Sequence, residues 1–305
     1  MSNQHNSAAD LTGGPLATAR PSELPRLSVR LSRETFATIF SLTERQPWLK
    51  EKQLPLSELI DECTQHDQQL LVCELLQRFT FLDSPAFHSA VQGIADYIQN
   101  DLGLSAADCS IAASENGRYA DSSQLVVYTL KTAKWKSHGW NTTSFVSSLS
   151  GLTEGAVKNN LFIVDEFIGT GETAEKKIKW IRDQLEGTGA NPKIYLAVVA
   201  GMVDGLTRVS SAVDGVFAAH KLKKGISDAY PSTEVQPNID AMKALETTLG
   251  AQGRRGKLGK HSLGYKGSES LYSRANGNTP NNVFPIFWWE IRKDQSPRET
   301  VLQCM

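Results

Sequence analysis

The stretch that decides the fold is LFIVDEFIGTGET, from Leu161 to Thr173. Its first four residues are apolar, and a strand that is covered on both faces gives such a continuous apolar run. Asp165 and Glu166 follow at the carboxyl end of this strand, the edge where open α/β sheets bind their ligands. From Gly169 onward a small-residue loop opens a segment with apolar residues at helical spacing. The order predicts a buried parallel strand, an acid pair, a tight loop and a helix.

The loop Gly169-Thr170-Gly171-Glu172-Thr173 has the composition of a phosphate site. Glycines let successive N–H groups converge on one anion, the threonine hydroxyls add donors, and the following helix contributes its positive N-terminal end. Asp165 and Glu166 do not face a phosphate favourably. We therefore expect them to accept hydrogen bonds from ribose hydroxyls or to lie near a divalent cation. A sugar phosphate is the predicted ligand.

These residues resemble the phosphoribosyl-pyrophosphate (PRPP) motif of the type I phosphoribosyltransferases, which has four apolar residues, two acids, two apolar residues and a T-G-x-T loop. The resemblance implies that the loop holds the 5′-phosphate and that the acids hold the ribose hydroxyls. It implies Mg²⁺ bound through the ligand, with no direct metal site on the protein. The residues carried over are Asp165, Glu166, Gly169, Thr170, Gly171 and Thr173, and Glu172, at the variable position of the loop, is also expected at the PRPP site. One departure is Glu166, because the second acid of the motif is usually Asp.

The composition describes an ordinary soluble globular chain of 305 residues, 40% hydrophobic and 21% charged. The net charge of −1 argues against nucleic acid as a direct ligand. The four cysteines are widely spaced, which fits a reducing cytoplasm better than a disulfide framework. Cys63, His66 and Cys73 form an incomplete metal set, so core thiols and a surface histidine are expected there. No segment has the length or apolarity expected of a membrane anchor, and a cytoplasmic location is the simplest interpretation.

Three regions are predicted from the composition and the hydrophobic pattern of the chain. Residues 1–25 have the composition of a flexible tail. Residues 26–104 are predicted to form a helical domain. Its helices are expected to begin near Ser32, Ser57 and Ser84, with a further apolar run from Leu70 to Phe79; Phe36, Ile39 and Phe40 are expected on one face of the first. Residues 105–305 are predicted to form an α/β domain with a C-terminal hood.

The α/β domain is predicted to hold a parallel sheet of about five strands flanked by helices, as the resemblance to type I phosphoribosyltransferases also implies. The connection Thr142 to Leu152 is expected to be helical. The candidate strands are Cys109 to Ala113, Leu125 to Leu130, Leu161 to Val164, Ile194 to Val199 and Val213 to Ala219.

Lys131 and Thr132 follow the second of these candidate strands. This order resembles the strand-then-Lys loop that binds pyrophosphate in hypoxanthine-type members of the family. Lys131 is accordingly a candidate catalytic residue, which would neutralise a diphosphate leaving group. A solvated loop charge is the equally weighted alternative. His138 or Trp140 would act in a closing loop, although a surface histidine and a packed tryptophan explain them as well.

The C-terminal third holds two further candidate segments. Arg254 to Lys266 is basic and Gly-rich, so it suits either a phosphate contact or a solvated loop. Asn278, Asn281 and Asn282 precede the aromatic run VFPIFWW. Variable hoods select the acceptor base in the family, and the three amides are placed in that role. The aromatic residues would provide a stacking surface or core.

YADSS, VDEFIGTGET and GNTPNNVFPIFWW together resemble phosphoribosyltransferase-like proteins encoded beside bacterial anti-phage systems, including retron-type ones. The resemblance implies a glycosyltransferase-type effector that binds PRPP or a related ribose 5-phosphate ligand. It leaves open a partner protein of the defence system and a homo-oligomer. Two alternatives stay open: an enzyme that depletes nucleotides by glycosidic cleavage, and a non-catalytic PRPP or nucleotide sensor.

Overall fold

In the computed structural model of the protein, the residues described are 33–115, 121–135, 139–140, 145–154 and 157–304. The predicted tail, residues 1–25, therefore lies outside the described part of the chain. The described α-helices are α1 (Arg33–Arg45), α2 (Gln53–Asp61), α3 (His66–Gln77), α4 (Ser84–Asp96), α5 (Ser122–Lys131), α6 (Glu172–Glu186), α7 (Val203–Ser210) and α8 (Ser232–Glu246). Among these residues, no helix is long and apolar enough to cross a bilayer.

The sheet of the α/β region has the strand order β3-β2-β4-β5-β6, with every neighbouring pair parallel. Within the described residues this is a five-stranded sheet, which confirms the predicted fold class. Its strands are β2 (Cys109–Ala113), β3 (Phe145–Val146), β4 (Asn160–Ile168), β5 (Lys193–Met202) and β6 (Gly215–Leu222). Two small sheets accompany it, formed by β1 (Thr80–Leu82) with β9 (Tyr272–Arg274) and by β7 (Gln252–Gly253) with β8 (Gly256–Lys257).

Strand β4 is the middle strand, and its apolar start explains that position. Residues 160–164 are all buried. Alternate side chains along a strand point to opposite faces, so Phe162 and Val164 join the core beneath α4 and α5, while Leu161 and Ile163 join the core beneath α6. Because all five strands run in one direction, their carboxyl ends meet along one edge, and β4 brings the acid pair and the following loop to that edge.

One predicted strand was wrong, because Leu125 to Leu130 lies in helix α5. Asp121 caps this helix, accepting a hydrogen bond from the Ser123 N–H at 2.7 Å, and its side chain forms a capping box with Gln124. The buried residues Val126, Val127 and Leu130 fit one helical face as well as they fit a short buried strand. The place of the missing strand is taken by β3.

The connection from Thr142 to Leu152 was also predicted incorrectly. Its described part begins with β3 and ends in a 3₁₀ turn, Ser150–Glu154, and residues 142–144 lie outside the described part. Phe145 and Val146 pair with Ile111 and Ala112 of β2. A two-residue strand is too short to leave a period in the sequence.

Two of the three predicted helix starts agree with the structure, because α1 is described from Arg33, directly after Ser32, and α4 begins at Ser84. Ser84 does begin α4, and the cap is Asp83, whose carboxylate accepts from the Ala86 N–H at 2.8 Å. Ser57 lies inside α2 and caps nothing. In α1, Ile39 packs against the core, whereas Phe36 and Phe40 are exposed.

The cores of the molecule cross the predicted boundary at residue 104. Helices α1–α3 share one buried cluster with residues 226–302, which include Phe284, Phe287, Trp288 and Trp289. The C-terminal aromatic residues are therefore core, and not a stacking surface. Helix α4 belongs to the sheet, because its apolar face packs on β5 and β6. Independent folding of a helical domain at residues 26–104 stays a prediction. Such a domain would have to separate from the buried cluster that α1–α3 share with residues 226–302.

Candidate functional site

A cavity of about 940 Å³ opens at the carboxyl edge of the sheet. Its size falls in the range of small-molecule sites. The acid pair and the loop after β4 form one side, and the C-terminal residues 254–289, which we call the hood, contribute the facing side. The lining residues are Asp121, Ser122, Leu125, Asp165, Glu166, Phe167, Ile168, Gly169, Thr170, Gly171, Thr173, Ala174, Lys177, Arg255, Tyr265, Arg274, Asn278, Thr279, Pro280, Asn281 and Asn282.

Asp165 is held by the two strands that meet beside it. Ser114 follows β2 directly and donates its hydroxyl to the Asp165 carboxylate, and the Glu166 N–H donates to the other carboxylate oxygen at 2.7 Å. Burial raises the pKa of Asp165 to about 6, against the lowering effect of the Ser114 hydrogen bond. The carboxylate is thus oriented, and it titrates nearer to neutral pH than an ordinary aspartate because its pKa is raised.

Glu166 is buried and already paired with a cation of the hood. Its Oε2 lies 2.8 Å from Nε of Arg274, and the two side chains are only 5% and 12% exposed. Tyr272 donates to Oε1 of Glu166 at 3.4 Å, and burial raises the pKa of Tyr272. The guanidinium of Arg274 also lies over the Phe87 ring, with its Cζ 5.3 Å from the ring centroid. Glu166 therefore carries a neutralised charge.

The loop after β4 is packed too closely at Gly169 and Gly171 for a larger residue. Gly171 has φ of +78°, which L-residues rarely adopt. A Cβ on Gly169 would lie 2.3 Å from the side chain of Asn282, and one on Gly205 of α7 would lie 2.0 Å from the Gly169 carbonyl oxygen. The loop is thus held between the hood and α7.

The same loop leaves its donors available. Gly171 is the N-cap of α6 with no side-chain cap, and the first N–H groups of a helix have no partner inside it. In the described part of the chain, the main-chain N–H groups and hydroxyls of Thr170 and Thr173 make no cap or turn hydrogen bond. These donors and the helix dipole converge on the cavity, which suits one phosphate.

Glu172 turns its carboxylate to other partners. Lys266 Nζ lies 2.6 Å from Glu172 Oε1, and Arg208 Nη1 lies 3.1 Å from the same oxygen. The hydrogen bond from Lys266 is the main reason that the pKa of Glu172 is lowered. The side chain therefore ties the loop to the hood and to α7, and what Glu172 offers a ligand is its N–H.

The predicted hood residues Asn278, Asn281 and Asn282 all line the cavity opposite the loop. Asn282 is buried and donates to the Ser268 hydroxyl at 3.0 Å. Arg255 and Tyr265 also line the cavity, so one basic residue and one aromatic residue of the segment 254–266 lie at the site. Arg254, Lys257 and Lys260 of that segment are exposed.

Lys131 and Thr132 are not brought to this cavity. Lys131 is the last residue of α5 and Thr132 its C-cap, both exposed, so neither follows a strand end. The strand-then-Lys interpretation fails because α5 is a helix. Its first turn, with Asp121, Ser122 and Leu125, lies at the cavity, and its last turn lies at the far end.

The two closing-loop residues have different outcomes. His138 lies outside the described residues. Trp140 stacks on Trp135 with ring centroids 3.9 Å apart, beside Phe145. These contacts are those of a packed tryptophan, which was the alternative to a role in a closing loop.

Sequence reasoning missed Ser114, Lys177 and Arg274. Lys177 lies one turn into α6 and pairs with Glu115, Nζ to Oε2 at 3.6 Å. Ser114 is marked only by following a buried strand, and Arg274 by its place before the amide-rich run. Neither position carries a local motif, because each depends on which strands become neighbours.

A parallel five-stranded sheet with an acid pair and a T-G-x-T loop at its carboxyl edge defines a phosphoribosyltransferase-like α/β protein. The chain belongs to the PRTase-CE family, whose sequence model matches residues 60–297. No curated protein matches the chain.

Two solved structures are partly similar to the chain. The APRTase from Giardia lamblia complexed with 9-deazaadenine is 13% identical, over 46% of this chain and 81% of that one, with a TM-score of 0.30. A hypothetical protein from Neisseria gonorrhoeae with bound ppGpp is 14% identical, over 53% of this chain and 97% of that one, also with a TM-score of 0.30.

Proposed function

We propose that the cavity binds PRPP or a related ribose 5-phosphate ligand, with the 5′-phosphate in the loop 169–173. The observation that carries the proposal is the set of unpaired N–H groups and hydroxyls at the start of α6, held in place by Gly169, Gly171 and Gly205. A rigid loop that presents donors loses little freedom when an anion binds.

Asp165 is proposed to hold the ribose hydroxyls. Its carboxylate lines the same cavity as the loop. A ligand with its 5′-phosphate in the loop would bring its ribose ring towards this carboxylate. Glu166 differs, because its pairing with Arg274 leaves it little negative charge to offer. In this proposal Glu166 positions Arg274 at the cavity wall, and Asp165 alone provides the carboxylate for the sugar.

Mg²⁺ is proposed to be held mainly by the ligand's own phosphate and hydroxyl oxygens. Among the described residues, no group of three or more His, Cys, Asp or Glu side chains is placed to hold a metal. Of the three acids that line the cavity, Asp121 caps α5 and Glu166 is paired with Arg274, so Asp165 is the carboxylate proposed to face an ion that keeps most of its ligands from substrate and water. Such an ion would neutralise charge on a diphosphate leaving group.

The proposed chemistry is transfer of the phosphoribosyl group. The bond from C1 of the ribose to the pyrophosphate oxygen breaks and its electron pair leaves with the pyrophosphate. A nitrogen lone pair of the acceptor then forms the new bond to C1, and the acceptor's proton passes to solvent. Asp165 would stabilise the positive charge that develops on the sugar ring. Arg274 and Lys177 replace Lys131 as the candidate partners of the leaving group, because they line the cavity.

The direct test is incubation of the protein with PRPP and Mg²⁺, with and without a panel of nucleobases, while pyrophosphate is measured. Base-dependent release that is lost in Thr170→Ala supports the transferase. Release of free base from added nucleotides would instead favour glycosidic cleavage. PRPP binding without either product would favour the sensor.

The sensor is kept as a second candidate because of the Glu166–Arg274 pair. A catalytic acid pair is expected to present its charge to the sugar, and here half of that charge is neutralised at 2.8 Å. In a sensor, tight binding with no turnover is the expected result, and Glu166→Asp would change affinity without creating pyrophosphate release.

We also propose that the protein is an effector of a bacterial anti-phage system and works in the cytoplasm. Support comes from the sequence resemblance in YADSS, VDEFIGTGET and GNTPNNVFPIFWW. The test is phage challenge of cells that carry the complete system with the wild-type chain or with Asp165→Asn. Equal protection by both would contradict an effector role for this site.

A further inference from the structure

The cationic side chains in the cavity wall differ in whether an acidic side chain lies beside them. Lys177 lies 3.6 Å from the Glu115 carboxylate, and Arg274 lies 2.8 Å from Glu166. Each of these two cations has an acid beside it. The third cation of the described cavity wall, Arg255, has none.

Within the part of the chain that the structure describes, Arg255 is held by neutral groups only. Its Nη1 donates to the Thr279 carbonyl at 2.8 Å, its Nη2 donates to Oδ1 of Asn278, and its Cζ lies 5.1 Å from the ring centroid of Trp288. The thiol of Cys304 also lies beside it, and burial keeps that thiol neutral by raising its pKa. Glu290, the acid of this region, pairs instead with Arg254 at 3.9 Å.

This environment fixes the position of the guanidinium without cancelling its charge. Carbonyl and amide oxygens orient the planar guanidinium, and the indole face of Trp288 adds a cation–π contact. Trp288 is itself fixed, because it is fully buried and its indole N–H donates to the Val283 carbonyl. A cation fixed in a cavity wall and lacking a counter-ion attracts an anionic group from the ligand.

Arg255 belongs to the hood side of the cavity, across from the phosphate loop. Its partners Asn278 and Thr279 line the same side, together with Tyr265. The volume of about 940 Å³ leaves room for a second group beside a ribose 5-phosphate. A group bound beside a ribose 5-phosphate on the hood side would therefore lie next to Arg255.

We infer that the second ligand bound under the hood is anionic and that Arg255 binds its carboxylate or phosphate group. This inference rests on the proposed function, because it takes the loop 169–173 as the site of the sugar phosphate. It narrows the acceptor from any nucleobase to molecules that carry a negative charge, such as a heterocyclic carboxylate or a nucleoside monophosphate.

The test uses pairs of probes that differ in charge. Nicotinate and nicotinamide test a carboxylate, and AMP and adenosine test a phosphate. Binding of each is measured by calorimetry to the full chain with Mg²⁺, with and without saturating ribose 5-phosphate, which fills the loop and allows no turnover. The anionic member of at least one pair is expected to bind roughly tenfold more tightly or better.

Three variants locate this preference. Arg255→Gln is expected to bring the two members of the pair to equal affinity and to leave ribose 5-phosphate affinity unchanged. Arg255→Lys, which keeps the charge but not the fork, is expected to keep part of the preference. Arg254→Gln is the matched control, because Arg254 is the exposed neighbour outside the cavity wall, and it should keep all of it.

The inference is overturned if the neutral members bind as well as the anionic ones, if no probe binds, or if Arg255→Gln keeps the preference. An equal loss in Arg254→Gln would also overturn it, because a general basic field would then explain the result. If Arg255→Gln does not fold, the affinities of the probe pairs for the wild type and for Arg255→Lys still test the inference. Failure of ribose 5-phosphate to bind the wild type would contradict the proposed function. The affinities of the probe pairs measured without ribose 5-phosphate would still test whether Arg255 binds an anionic group.

Discussion

Asp165 shows how burial and function oppose each other at a single residue. Its pKa is raised to about 6 because the carboxylate is taken out of water, and two hydrogen bonds limit the rise. Between the ordinary value of 3.8 and about 6, the folded chain binds more protons at this site than the unfolded chain does. The contribution of Asp165 to stability therefore falls as pH rises through this window.

Ligand binding should depend on pH with the opposite sign. The carboxylate form is the one that accepts from ribose hydroxyls and faces Mg²⁺, so affinity for PRPP with Mg²⁺ should fall as pH drops below about 6. The ligand phosphates titrate nearby, and Asp165→Asn is the control that isolates the protein group. The variant should bind roughly tenfold more weakly at pH 7, and its affinity should depend less on pH. Identical pH profiles for both proteins, measured by calorimetry, would contradict this role.

Glu166 and Arg274 form the buried ion pair of the site. Removing one partner leaves an uncompensated buried charge, so Arg274→Met should lower the free energy of unfolding by roughly 3–5 kcal/mol. The double variant with Glu166→Gln should recover much of the loss. Urea unfolding gives both values.

The pair between Lys266 and Glu172 is the matched control, because Lys266 is about half exposed. Lys266→Met should cost at most about 1 kcal/mol. If Arg274→Met were no worse than Lys266→Met, the pair would not be the buried charge contact described here.

At the level of elements, α7 supports the phosphate loop from behind. An alanine at 205 would place its Cβ 2.0 Å from the Gly169 carbonyl oxygen, so the loop or the helix must move. Gly205→Ala should destabilise the protein by roughly 1–3 kcal/mol and weaken binding of ribose 5-phosphate.

Gly93→Ala is the control in another helix. Its Cβ would meet the Phe217 ring at 3.5 Å, an ordinary contact. Since alanine favours helix over glycine, this variant should gain about 0.5–1 kcal/mol. Thermal melts and binding isotherms compare the two, and unchanged binding in Gly205→Ala would show that α7 does not hold the loop.

The sequence predicts β4 and fails on α5 for one physical reason. Four apolar residues from Leu161 are followed by a loop that no helix would continue through, so the length and the end of the strand are both marked. The run VVYTL before Lys131 is mostly apolar and carries β-branched residues, which favour a strand, but the capping box of Asp121 and Gln124 begins a helix there. Local composition does not separate a short buried strand from a helix face, and the cap decides.

At the scale of the whole molecule, the hood and the first three helices form one core. Trp288 and Trp289 are fully buried among residues of α1–α3 and α8. The role of the three hood amides was expected from the resemblance to the family, whereas their position opposite the loop depends on contacts about 110 residues apart, such as Arg274 with Glu166 and Asn282 against Gly169. Contacts at this separation leave no pattern in a single sequence.

This shared core predicts that damage to α3 reaches the hood. Leu76 is fully buried, and Leu76→Ala should cost roughly 2–5 kcal/mol. Hydrogen exchange should then lose protection around residues 283–289 together with α3, in a single unfolding transition. Leu54→Ala, at an exposed leucine, should change stability by less than about 0.5 kcal/mol. Two separate transitions would instead support an independent domain at residues 26–104.

The central claim is that the loop after β4 holds the phosphate of an activated pentose while Asp165 holds its sugar. The most direct measurement is calorimetric titration of PRPP with Mg²⁺ into the wild type, Asp165→Asn and Thr170→Ala. The account predicts saturable, Mg²⁺-dependent binding to the wild type and a loss of roughly tenfold or more in each variant. No binding to the wild type, or unchanged affinity in both variants, would contradict it.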